Sequence, residues 1–306
     1  MACKCDVGLS NTGTACTPLQ AVARQYVMVN KYKADGTLNK LVVAAGTYTT
    51  SFWNTQLNAV ADERWRPIGV VKNVADEKAD NITQSFNDGS TAFIAEGART
   101  VAAFLPGAAP HLVGQINDAR CIEIAMYVID KDGNLIGKEI EEGFLHPICV
   151  ENDTISASYV KNDASATISG INLSFTWSLD EKDENMTMIT VDEMTDGVSG
   201  ISGLLDIAAS YTSITTDGFV ATLTVNGYGT ALTPVYDKGL VFPGDFSLFN
   251  DSDSLAVTIT SVTESTGGGV YTFIIPTQST TDSMTLTPSK DGRDYTLTIA
   301  AKVVIP

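Results

Sequence analysis

Short runs of β-branched and aromatic residues, each closed by a turn signal, constrain this chain most. They include QYVMVN at 25–30, CIEIAMYVID at 121–130, INLSFTW at 171–177, GFVATLTV at 218–225 and GVYTFIIP at 269–276. Between such runs stand ADGT, KDGN, NGYG, FPGD, STGGG and SKDGRD, whose Gly, Asn, Asp and Pro supply the backbone conformations that turns require. Val, Ile, Thr and Tyr suit a pleated, half-buried surface, and helix-period runs are scarce, so the chain reads as mainly β. One clear helix is expected. In PHLVGQINDAR, Leu112, Val113, Ile116 and Ala119 recur at helical spacing behind Pro110, a favourable start residue. SFWNTQLNAVADERW at 51–65 is a second, shorter amphipathic segment.

A length of 306 residues with 44% hydrophobic content leaves room for two cores. Residues 1–20 form an arm carrying Cys3, Cys5 and Cys16, and residues 21–203 a β domain with the helix. DGVSGISG at 196–203 reads as a flexible boundary. Residues 204–306 hold strand runs without helix or cysteine, which describes an immunoglobulin-like β-sandwich lacking the antibody-type disulfide.

The charge acts by exclusion. The chain has 19 Lys+Arg against 36 Asp+Glu, a net −17, and no basic cluster to neutralise phosphates, so it does not grip nucleic acid. Residues 207–306 hold 4 basic and 9 acidic residues, a net −5, which leaves −12 for the first 206. No 18-residue apolar run is present, so no membrane span is expected. The first residues lack a charged start and an apolar core, so no signal peptide is expected and the chain is made and kept in the cytosol.

Cys121 and Cys149 read as small buried apolar residues, and the N-terminal three lack a fourth partner in tetrahedral spacing. The DKDGN run at 130–134 reads as a turn, because an EF-hand loop needs more ligands before its glycine. No GxSxG, P-loop or GxGxxG is present, and the two histidines, His111 and His146, lie on separate segments. The expectation is a non-enzyme with no cofactor and no metal.

One segment resists an ordinary reading. In ADNITQSFNDGSTAFIAEGARTVAAFL at 79–105, a turn at NDG separates two extended arms. The arm from Ser90 to Leu105 would reach roughly 50 Å if fully extended, about three times an ordinary strand. Lined largely by Ala, Gly, Ser and Thr, it has too little apolar surface to stand alone. Two readings stand side by side: another copy covers it, or it curls back on its own core with a bend at Gly97. In the first, its small side chains suit a strand with one face on a lumen and one on its own domain.

The order of features over 60–195 resembles that of phage tail tube proteins. A strand ends in DEKAD; then come the hairpin, a helix, the pair YVIDKDGNLIGKEI and GFLHPICVENDTISASYV, and INLSFTW. The resemblance implies a β-sandwich or barrel domain with one flanking helix, whose long hairpin helps to line a continuous inner barrel. It implies homo-oligomeric rings, usually hexameric, that stack into the virion tail tube and pass double-stranded DNA without tight binding. Partners are then other copies and other tail proteins. The element at 80–105 becomes the inter-subunit contact, with Asp80, Asp88, Glu96 and Arg99 as candidate lumen-facing or ring-contact residues. The cysteine arm departs from the family pattern. The last domain resembles the immunoglobulin-like decorations of tail and capsid proteins. The alternatives are a ring or connector at the head–tail junction of a short-tailed phage, and a carbohydrate-binding surface module.

Overall fold

A computed structural model describes residues 20–44, 47–57, 59, 62–108, 110–161, 168–201, 207–225, 245–265, 269–290, 293–294, 297–299 and 302–306. Cys3, Cys5 and Cys16 lie outside the described residues. The protein is mainly β, with two α-helices among the described residues. It divides into two compact units, Met1–Ser202 and Gly203–Pro306.

In chain order the first unit contains β1 (Ala23–Asn30), β2 (Leu41–Val42), α1 (Thr50–Leu57), β3 (Arg66–Pro67), β4 (Lys72–Lys78), β5 (Ile82–Ser85), β6 (Thr91–Ala95) and β7 (Arg99–Pro106). There follow α2 (His111–Asp118), β8 (Ile124–Asp130), β9 (Leu135–Lys138), β10 (Phe144–Leu145), β11 (Ile148–Cys149), β12 (Ser156–Val160), β13 (Gly170–Thr176) and β14 (Met186–Ile189). A central sheet runs β14-β9-β8-β1-β3, with β11 also on β8, and a second sheet runs β12-β13-β7-β4. Their pairings are antiparallel.

The central sheet is covered on both faces. Ile124, Met126 and Val128 of β8 join one core with β7, β12, β13 and Ile116 of α2. The intervening Ala125, Tyr127 and Ile129 join another with Trp53 and Leu57 of α1, Tyr48 and Trp65. Every residue of β8 is therefore buried, and the strand packs on both faces. The strand starts later than its apolar run. Ile122 and Cys121 are exposed on the turn after α2, so the burial expected of Cys121 is wrong, while Cys149 is buried as expected.

Other local expectations shift for tertiary reasons. After the ADGT turn, Leu41–Val42 form only the two-residue β2, which pairs with β10. The 196–201 stretch, expected to be flexible, is tied down. Asp196 Oδ2 accepts from the Thr50 N–H (2.6 Å) and hydroxyl (2.9 Å), capping α1, and its carbonyl accepts from Trp53 Nε1. Val198 is buried in the α1-side core. The 130–134 run is a turn: Asp130, fully buried, accepts from the N–H groups of Asp132 and Asn134, both at 2.9 Å.

In the second unit one sheet runs Ser261–Glu264, Val270–Ile274, Gly218–Val225, Ile207–Thr215 and Leu297–Ile299, the last pairing parallel. The other runs Leu255–Val257, Phe246–Asn250, Ser283–Lys290 and Arg293–Asp294, with Val303–Val304 also on Ser283–Lys290. Phe219, Leu223 and Phe273 of the first share one core with Phe246, Leu248 and Leu286 of the second. Among the described residues, no helix is long and apolar enough to cross a membrane.

Candidate functional site: a long ribbon with an uncovered tip

β4 and β7 pair as far as Lys78 opposite Arg99, and the Ala79 N–H donates to the Ala98 carbonyl at 2.9 Å. The ladder then breaks and resumes as β5–β6, from Ile82 opposite Ala95 to Ser85 opposite Thr91. The arm read as one long strand over 90–105 is thus two strands kinked at Gly97. Glycine is required there, because a Cβ would lie 1.9 Å from the Ala79 carbonyl oxygen. At the far end Gly89 turns the chain with φ +82, and the Phe86 N–H donates to the Ser90 carbonyl.

Base and tip differ in cover. Val101, Ala103 and Leu105 of β7 point into the core, whereas every residue from 81 to 91 is exposed. Ile82 and Phe86 are exposed, and Phe93 and Ile94 are 61% and 56% accessible. Successive residues of a strand project from opposite faces, so large apolar groups stand uncovered on both sides of the tip. The expectation that one face packs on its own domain does not hold for β5–β6. This is a two-stranded sheet with both edges open among the described residues.

The other edges of the second sheet are guarded. At β12 the Asn117 side chain of α2 takes both outward groups of Ala157: its Nδ2 donates to the carbonyl (3.1 Å) and its Oδ1 accepts from the N–H (2.9 Å). Arg120 Nε donates to the Ile155 carbonyl beside it. At β4 a bulge between Lys72 and Ala75, with Asn73 at φ 52, bends an edge that carries Lys72, Asp76, Glu77 and Lys78. Bulges, charges and side-chain caps are the usual means of stopping strand addition. β5–β6 carries no charged side chain, and its one irregularity, between Ile82 and Thr83, lies at the break from the base.

The four predicted residues separate along this ribbon. Arg99 and Glu96 belong to a charged clamp at its base. Arg99 binds Asp76 through two bonds, Nε–Oδ1 at 2.7 Å and the second at 3.0 Å, and reaches Asp183 at 3.2 Å. Lys78 joins Glu96 (2.7 Å) to Asp183 (3.3 Å). The hydrogen bond to Asp76 raises Arg99, and those to Glu96 and then Asp183 raise Lys78, above their ordinary values. Asp88 sits at the tip, roughly 25 Å along the ribbon from Glu96. There it accepts from the Ser90 N–H (2.9 Å) and hydroxyl (2.6 Å), contacts that lower its carboxyl, the hydroxyl most. Asp80 is exposed at the break and outside the clamp.

Sequence reasoning passed over Asp76, Lys78 and Asp183, because DEKAD and DEKDEN looked like punctuation; their opposite charges were the available signal. It also passed over Ile82, Phe86, Phe93 and Ile94 among their small neighbours. The clamp residues and Trp177, Leu179, Glu181 and Met186 line a small open cleft of about 30 Å³, room for a water or two. Among the described residues no group of three His, Cys, Asp or Glu could hold a metal ion. Compared with protein-family models, curated proteins and solved structures, the chain matches none.

Proposed function

We propose that this chain is a self-assembling structural protein of a phage tail, whose copies form rings that stack into a tube for DNA. The observation that supports this reading is the uncovered tip of the ribbon: exposed apolar groups on both faces and open edges, next to a sheet whose own edge strands, β12 and β4, are guarded. Other copies cover it, and closure of a ring removes the open edges. The acidic balance of the first unit and the absence of a basic cluster suit a wall that DNA passes without sticking. Residues 203–306 are read as an immunoglobulin-like sandwich on the outside of such a ring, from two sheets sharing one core.

The test is negative-stain microscopy with light scattering on the full chain and on a variant with Ile82–Ala95 replaced by a short turn, leaving the Glu96–Arg99 base intact. Rings or tubes from the first and folded monomers from the second are expected. Rings from both would remove the hairpin from the interface, and monomers from both would remove the assembly reading. For the lumen, Asp80→Lys is the cleaner substitution, since Glu96→Lys also breaks the clamp. Tubes of the variant should bind short duplex DNA in a salt-sensitive way; tubes that still ignore it place Asp80 away from the channel.

A further inference from the structure

Lys138, Cys149 and Glu181 meet inside the first unit, apart from the ribbon tip. Lys138 ends β9, Cys149 ends β11, and Glu181 comes across from the turn after β13. The two charged side chains are each only 11% exposed, and Cys149 is buried. Lys138 Nζ donates to the Glu181 carboxylate and lies 3.3 Å from Cys149 Sγ. The same carboxylate oxygen accepts from the Cys149 N–H at 2.9 Å. Glu181 thus holds the amine and the strand bearing the thiol in one geometry. Paired bonds between the Lys138 and His146 backbones, both 2.8 Å, fix β9 against the segment leading into β11. An ion pair alone does not call for a sulfur at hydrogen-bond distance from the ammonium.

We propose that Lys138 and Cys149 form an oxidation-dependent covalent cross-link, an N–O–S bridge, with Glu181 as the residue that positions the amine. The ammonium first passes a proton to Glu181. Then the S–H and one N–H bond break, S–O and O–N bonds form, and dioxygen is consumed. One of its oxygen atoms stays in the bridge and the other leaves as water with the two hydrogens. Sulfur and nitrogen each give up two electrons, which accounts for the four that dioxygen takes. The thiolate is the reactive form of a cysteine, and burial pushes the Cys149 thiol up to about 11. Formation is therefore slow, and the exposed Cys121 oxidises first.

The bridge is read by peptide mass mapping of the full chain, purified under reductant and then either kept reduced or aerated for days. Aeration should yield one linked species joining the Lys138 and Cys149 peptides, about 14 Da above their sum, for one oxygen gained and two hydrogens lost. Dithiothreitol should release it. Cys121→Ser should retain it and Cys149→Ala should lose it. Glu181→Gln, checked for fold by circular dichroism, should lower its yield several-fold. Recovery of Cys149 as free thiol or sulfinic acid beside unmodified Lys138, once Cys121 is fully oxidised, overturns the proposal. A link about 2 Da below the sum means a direct S–N bond and overturns the oxygen bridge. Unchanged yield in Glu181→Gln removes its role. The wild-type map decides the cross-link itself even where a variant does not fold.

Discussion

β6 and β7 follow one another through Gly97 in a single ribbon, yet β7 sends Val101 and Leu105 into a core while β6 leaves Phe93 and Ile94 uncovered. Their apolar content is similar; their neighbours are not. β7 lies between β4 and β13, whereas among the described residues β6 has β5 alone. Fully burying a large apolar side chain is worth about 1.5–3 kcal/mol. The four at the tip are already about half covered, so they withhold roughly 3–7 kcal/mol, at the lower end of the net stability of a whole domain. Association costs a similar amount in lost freedom, so the apolar groups alone bring assembly only to balance. In the proposed assembly, hydrogen bonds along the open edges and contacts elsewhere must supply the surplus. The base is packed within its own fold; the tip is left exposed by it.

Truncating one side chain in each region should break that comparison most sharply. Leu105→Ala empties a fully packed site and should cost about 2–5 kcal/mol in urea unfolding of the protomer. Phe93→Ala should change the same quantity by less than about 0.5 kcal/mol, because Phe93 is mostly exposed in the protomer. Its effect should appear instead as weaker assembly in light scattering. Equal costs for the two would mean that the tip is covered within the protomer.

Gly97→Ala comes next. The added Cβ meets backbone, which cannot rotate away, so the kink has to open at a cost of about 1–3 kcal/mol. Hydrogen exchange should quicken at Ala79 and in β5–β6 while the β7 amides opposite β13 stay protected. If protection is lost throughout β7, base and tip are one cooperative element.

How far the sequence discloses this follows from the range of each determinant. Strand composition, the NDG turn and the Pro110-led helix are local and legible; the bend at Gly97 was too, but the reading that placed it there had the hairpin curl back on its own core, and the tip stays exposed. The two-sided burial of β8 was not legible, because alternation marks a strand with one wet face and gives no sign that α1 will cover the second. Asp183 was illegible for a related reason. It meets Arg99 across 84 positions, and no short-range pattern joins a turn to a ribbon at that distance. Asn117 looked like an ordinary polar residue of an amphipathic helix. Its role depends on where β12 lies.

That role gives the third prediction. Asn117→Ala leaves the N–H and carbonyl of Ala157 without their amide partner and should cost about 1–3 kcal/mol. It also exposes a second strand edge. A variant that is both less stable and prone to concentration-dependent association would show that Asn117 guards the edge. Loss of stability without association would mean that it merely holds α2 to β12.

The smallest effect lies at the tip and concerns pH. The Ser90 hydroxyl and N–H bind the ionised form of Asp88 and lower its carboxyl from the usual value of about 4. A group whose pKa falls on folding contributes its stabilisation above the unfolded pKa, and loses it as pH drops through the folded value. The contribution is therefore complete at neutral pH and disappears progressively below about pH 4. At the surface the change is local. Nuclear magnetic resonance should show the Ser90 amide shifting and exchanging faster over that window, with the Val101 and Leu105 amides unchanged. Asp88→Asn should retain part of the turn and abolish the titration. If Ser90 and Leu105 respond together, acid acts on the whole ribbon, and the division between a folded base and an independent tip fails at its most sensitive point.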